Sequence, residues 1–178
     1  SHAMGVYAQA KKVGDTAWNK IEGENVEIKA TGGASTQTTA VYADGYAGRT
    51  TMGYNDIYGR HVKLTAESGN SASGVQAVIG GSNTFRAGST DATLTINASG
   101  DTLSNGVRAY SGRNTIDGFR QVDITVGTAN NTGTAYGVDT QSGGINDIRN
   151  VGGVKILAEA GASSSTFGIN ADASGSKS

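Results

Sequence analysis

Few residues in this chain are of the types that build catalytic centres. Histidine occurs only at His2 and His61, and His2 belongs to the opening Ser1-His2-Ala3-Met4, which reads as an expression-tag remnant. A Ser-His-Asp centre would rest on His61 alone, and no Gly-x-Ser-x-Gly motif accompanies it. His61 therefore reads as a solvated residue at a strand edge. No His/Cys cluster has metal-ligand spacing, the Gly-Gly-x-Gly-x-Asp calcium pattern is absent, and no glycine-rich loop ends in Lys-Ser/Thr. Asp123 and Asp139 are the candidates for a sugar-cleaving carboxylate pair. The repeat described below sets a basic residue beside each, which argues against that chemistry. No catalytic residue, metal or cofactor is expected.

Binding chemistry is better represented, and it lies early in the chain. Two long segments hold Lys11, Lys12 and Trp18, then Tyr46, Arg49 and Tyr54. Aromatic faces beside cations suit a sugar ring or a protein partner. The same aromatics could instead cover an exposed end of the fold, and both readings stand at this point.

The elements that position these residues follow from a repeat. Gly-Val-x-Ala or a near match starts at Gly5, Ala40, Gly74, Gly106, Gly137 and Gly168, at intervals of 31 to 35 residues. Each full repeat then carries Asn-x-apolar: Asn19 to Ile21, Asn55 to Ile57, Asn83 to Phe85, Asn114 to Ile116 and Asn146 to Ile148. A third element alternates apolar and polar residues, as in Val26-Glu27-Ile28-Lys29-Ala30 and Val122-Asp123-Ile124-Thr125-Val126. Alternation with period two marks a half-buried strand. Three short strands per repeat predict an all-β, right-handed parallel β-helix of about five to six coils, because a propeller blade needs four strands and a longer unit.

Stacking the coils puts Val6, Val41, Val75, Val107, Val138 and Ile169 in one buried column, with the asparagines in a ladder of side-chain amides. Gly23, Gly59 and Gly118 are expected to permit the bend after the second strand. Outward rows set Glu27 beside Lys63, Asp123 beside Lys155 and Arg108 beside Asp139, so opposite charges meet. The expected division is an expression-tag remnant at 1–4, coils at 5–39, 40–73, 74–105, 106–136 and 137–167, a partial coil at 168–173 and a disordered end at 174–178.

Composition narrows the partners. Glycine accounts for 28 of 178 residues and proline and cysteine are absent, yet Val and Ile recur in alternation, which disordered low-complexity chains do not show. A formal net charge of −1 supplies no field for nucleic acid or anionic lipid, so nucleic-acid binding is not expected. No apolar run reaches the roughly 18 residues of a membrane span, and no signal peptide is evident, so direct membrane insertion is not expected. The chain is read as a piece of a longer protein.

The recurrent Gly-Val-x-Ala, Asn-x-Ile-x-Gly and Val-x-Ile-x-Ala units, with the Gly/Asn/Thr/Ser bias and the lack of cysteine, resemble the passenger domains of Gram-negative autotransporter adhesins across most of residues 5–173. The resemblance implies an extracellular, bacterial-surface segment anchored through a region outside this chain. Its function would be structural and adhesive, directed at a host-surface protein or glycan or at another copy of itself. The residues expected to carry binding are Lys11, Lys12, Trp18, Tyr46, Arg49 and Tyr54. Carbohydrate-active β-helix enzymes and phage tail spikes share such units and supply the competing reading.

Overall fold

A computed structural model describes residues 1–12, 14–45 and 52–172. Among these residues there is no helix, and fourteen strands follow one another: β1 His2–Gln9, β2 Thr16–Gly32, β3 Gln37–Asp44, β4 Met52–Ser68, β5 Ser71–Val78, β6 Ser82–Ala87, β7 Thr93–Gly100, β8 Leu103–Tyr110, β9 Arg113–Asp117, β10 Gln121–Gly127, β11 Thr134–Gln141, β12 Ile145–Arg149, β13 Gly153–Glu159 and β14 Ser165–Asp172. One sheet has the order β1-β3-β5-β8-β11-β14, with every neighbouring pair parallel. In the second sheet β2 pairs with β4, and β4 divides its length between β6 and β7. Two arms continue from there, β6-β9-β12 and β7-β10-β13. The chain is a parallel β-solenoid in which each coil contributes one row to each sheet.

Its register is the one the repeat dictates. Val6, Val41, Val75, Val107, Val138 and Ile169 are successive partners in the first sheet. Val26, Val62, Leu94, Val122 and Val154 form a second column, and Ile28, Leu64, Ile96, Ile124 and Ile156 a third. The central members are fully buried, each contributing roughly 1.5–3 kcal/mol. Burial fails at the last row, where Ile169 is 72% exposed for want of a further coil against it.

The asparagine column is a continuous ladder. Nδ2 of Asn19, Asn55, Asn83 and Asn114 donates to Oδ1 of the next asparagine at 2.9, 2.8, 2.9 and 2.8 Å. The same nitrogens also donate to the carbonyls of Tyr7, Tyr42, Gln76 and Arg108. Each amide thus ties the second strand of its coil both to the next coil and to the preceding strand of its own. At Asn146 the run changes partner, and Nδ2 donates to the Asp139 carbonyl and to Thr140 Oγ1.

Several local expectations are corrected. In coils one and two the second and third elements are not separate strands: β2 and β4 run unbroken through the corner, whereas longer corners split the later coils. Gly118 does supply a left-handed conformation, with φ 82°. Gly59 is needed for space instead, because a Cβ there would lie 2.9 Å from Val62 Cγ2 and 3.0 Å from the Gly23 carbonyl oxygen. Gly23 meets neither condition. His61 sits inside β4, exposed, with Nδ1 3.1 Å from Thr93 Oγ1, and is not at a strand edge. Residues 2–4 extend β1 opposite Gln37, Thr38 and Thr39. The segment 174–178 lies outside the described residues.

Candidate functional site

The two long strands of the first two coils carry an outward face built by alternation. Asn19 and Ile21 turn toward the interior, so Trp18, Lys20 and Glu22 of β2 point outward, and in β4 the same alternation turns Tyr54, Asp56 and Tyr58 outward, with Tyr58 exposed and the other two half-buried. Register places Trp18 beside Tyr54, Lys20 beside Asp56, and Glu22 beside Tyr58. The Trp18 and Tyr54 rings lie 6.1 Å apart with planes tilted by 49°. Trp18 remains 67% exposed and Tyr58 43% exposed.

Where β2 and β4 turn the corner the face deepens into a cleft of about 740 Å³, lined by Glu22, Gly23, Glu24, Tyr58, Arg60, Gly88 and Ser89. The Tyr58 hydroxyl donates to the Gly88 carbonyl at 3.3 Å. Arg60 bridges three coils, donating to Glu24 at 3.0 Å and to Asp91 through Nε at 3.2 Å and through a terminal nitrogen at 2.5 Å. Asp91 also accepts from Ser89 Oγ at 2.6 Å. The Arg60 hydrogen bonds, then that of Ser89, hold the Asp91 carboxyl well below the usual carboxylate range. The remaining charges of the face are also paired: Lys20 with Glu22 at 2.7 Å, and Arg86 with Asp56 at 3.4 Å.

The residues expected to bind are only partly assembled. Trp18 and Tyr54 come together, but as strand residues in register and not on turns. Lys11 and Lys12 lie exposed on the turn between β1 and β2. Tyr46 and Arg49 lie outside the described residues. Sequence reasoning missed Glu22, Glu24, Tyr58 and Arg60, although one signal was available: Glu22 and Tyr58 each directly follow the inward-facing isoleucine of the second element, so they share an outward column.

The candidate carboxylates Asp123 and Asp139 do not form a pair. Asp123 lies on β10 opposite Lys155 and accepts from Gln121 at 2.9 Å, whereas Asp139 lies on β11 in the other sheet. Asp139 is 1% exposed, accepts from Gln141 at 3.0 Å and from Asn170 at 2.9 Å, and faces Arg108 Nε at 3.4 Å. Among the described residues no three His, Asp or Glu side chains gather as metal ligands.

Two further aromatic pairs lie at opposite ends of the six-stranded sheet: Tyr7 with Tyr42 at 5.4 Å on β1 and β3, and Tyr136 stacked on Phe167 at 5.0 Å on β11 and β14. Burial, then the charge of Asp44, pushes the Tyr42 phenol up to about 12. No protein-family model, curated protein or solved structure matches the chain.

Proposed function

We propose that the chain is a non-catalytic adhesive segment, displayed on a bacterial surface as part of an autotransporter-like passenger, and that it binds through the outward face of β2 and β4. One observation carries this reading: Trp18, Tyr54 and Tyr58 are presented on hydrogen-bonded strands beside a cleft of about 740 Å³, with Trp18 67% exposed. Rings held by a rigid scaffold bind at low entropic cost, because little ordering remains to be done on association. The sugar-cleaving alternative needs a carboxyl that retains its proton to protonate the leaving group. The two candidate carboxyls for that role, Asp123 and Asp139, lie in different sheets, and Asp139 is 1% exposed and faces Arg108.

The test is attachment of cells displaying the chain, compared with Trp18→Ala/Tyr54→Ala. Loss of attachment with unchanged display and folding is expected. Undiminished attachment would remove the adhesive role from this face.

A further inference from the structure

We infer that the β2/β4 face binds an uncharged oligosaccharide, with Trp18 and Tyr58 as two separate ring platforms; this rests on the adhesive reading of the face and names its ligand class. A pyranose has an apolar face of C–H groups and a rim of hydroxyls, so its binding site needs an exposed ring for the face and fixed polar groups for the rim. Trp18 and Tyr58 supply the rings. Glu22 and Glu24 supply carboxylate acceptors, each oxygen offering lone pairs beyond those used in its ion pair.

Spacing sets the length of the ligand. Glu22, in register with Tyr58, lies four residues along β2 from Trp18, a distance of about 13 Å at strand rise. A single sugar ring cannot reach both platforms, but a short chain of them can. Lys20 and Asp56 occupy the ground between, where hydroxyls and not apolar groups would meet them.

Charge decides the class of sugar. Lys20 is neutralised by Glu22, Arg86 by Asp56, and Arg60 by Glu24 and Asp91 together. A sialylated, sulfated or uronic-acid chain would have to compete with a carboxylate for one of these cations, whereas a neutral chain leaves every pair intact. The same arrangement disfavours a protein partner. Stable protein interfaces cover about 800 Å² per side around a core depleted of charge, and here the charged pairs lie at the centre of the face.

Trp18 is the only tryptophan in the chain, so its fluorescence reports directly on this face. The purified 178-residue chain would be titrated with neutral tri- and tetrasaccharides of glucose, galactose, mannose and N-acetylhexosamines, and with sialylated and sulfated counterparts. A saturable Trp18 signal with at least one neutral series is expected, stronger than with its anionic counterparts. Calorimetry should show binding lost in Trp18→Ala and weakened about tenfold or more in Tyr58→Ala, with Lys63→Ala on the other arm of β4 unchanged. Melting curves that match the parent exclude misfolding, which the exposure of both rings makes the expected result. Binding of a neutral series without any effect on cell attachment would uphold this inference and sink the adhesive role. Absence of neutral binding, with cell attachment still dependent on Trp18, would overturn the inference, leave the adhesive role standing and point to a protein partner. Preference for anionic sugars, or binding indifferent to both ring substitutions, would also overturn it.

Discussion

A Cβ placed on Gly106 would lie 2.3 Å from Cγ2 of Ile124, so the first strand of that coil can cross the third only where the first carries no side chain. The same holds at Gly5 with Ile28, Gly74 with Ile96 and Gly137 with Ile156, at 2.6, 2.2 and 2.2 Å. Coil two breaks the rule on both sides at once. Ala40 takes the glycine position, and Leu64 takes the isoleucine position in the adjoining column. Leucine branches one carbon further out and has no methyl on Cβ, which makes room for the alanine. Leu64→Ile is therefore expected to destabilise the fold by about 1–3 kcal/mol through overpacking, and adding Ala40→Gly should recover most of that loss. Denaturant midpoints of the two single variants and the double variant measure the coupling. Additive effects would show that the two positions do not share this space.

The asparagine ladder is worth most at its middle. Asn114 accepts from Asn83 and donates both to Asn146 and to the Arg108 carbonyl, all within a buried column. Asn114→Ala removes one acceptor and two donors while leaving their partners in place, a loss of about 1–3 kcal/mol. An unchanged denaturation midpoint would mean that the ladder follows from the fold without supporting it.

What the sequence made legible is what repeats. Val107 and Val138 could be aligned because both the interval between coils and the alternation within each strand point to the same column, and the ladder of Asn83 and Asn114 followed from the same interval. Corners were not legible, since they differ from coil to coil. Ile21 to Val26 is bridged by an extended chain, whereas Phe85 to Leu94 carries a longer loop that includes Ser89 and Asp91. Arg60 joins Glu24 of one coil to Asp91 of another across those unequal corners, so no fixed spacing announced the cleft. Trp18 and Tyr54 stood out because the segments that hold them in the first two coils are longer than in the later ones and carry aromatics beside cations. Their placement on strands depended on β2 and β4 running further back toward the turns than the repeat suggested.

Stability should respond to pH through Asp44 and Tyr42, neighbours on the outside of the six-stranded sheet. Burial raises the Asp44 carboxyl above its ordinary 3.8, against the hydrogen bond it accepts from Gln9 at 2.9 Å. Folding then favours the protonated form, so the contribution is complete below 3.8 and is lost as pH rises through the folded value. Asp44→Asn is expected to match the parent below about pH 3 and to exceed it at neutral pH. For Tyr42 the same sign applies in alkali: the neutral phenol is favoured, and stability is lost between 10 and about 12. Ultraviolet titration of Tyr42→Phe should lack the latest-ionising phenol of the parent. Midpoints of the parent and Asp44→Asn that stay parallel across the acid range would refute the Asp44 assignment.

The tight turn from β5 to β6 carries a strain that can be relieved. Ile79 has φ 45°, a left-handed conformation that its branched Cβ tolerates poorly, and its side chain is 44% exposed, so it recovers little through burial. The backbone is nevertheless fixed there, because the Ile79 amide donates to the Tyr110 carbonyl at 3.1 Å and the Gly80 amide to that of Ser111 at 2.7 Å. Coils four and five place Ser111 and Ser142 in the same conformation, with φ 54° and 52°. Left-handed backbone costs an ordinary residue roughly 1–2 kcal/mol, and asparagine bears that cost more easily because its short side chain bonds locally. Ile79→Asn is expected to stabilise the fold by about 1 kcal/mol. Ile79→Gly should gain less, since glycine also widens the unfolded ensemble. Chemical denaturation ranks the three proteins. A parent more stable than Ile79→Asn would show that the Ile79 side chain makes a contact in the folded state that outweighs the strain of its backbone.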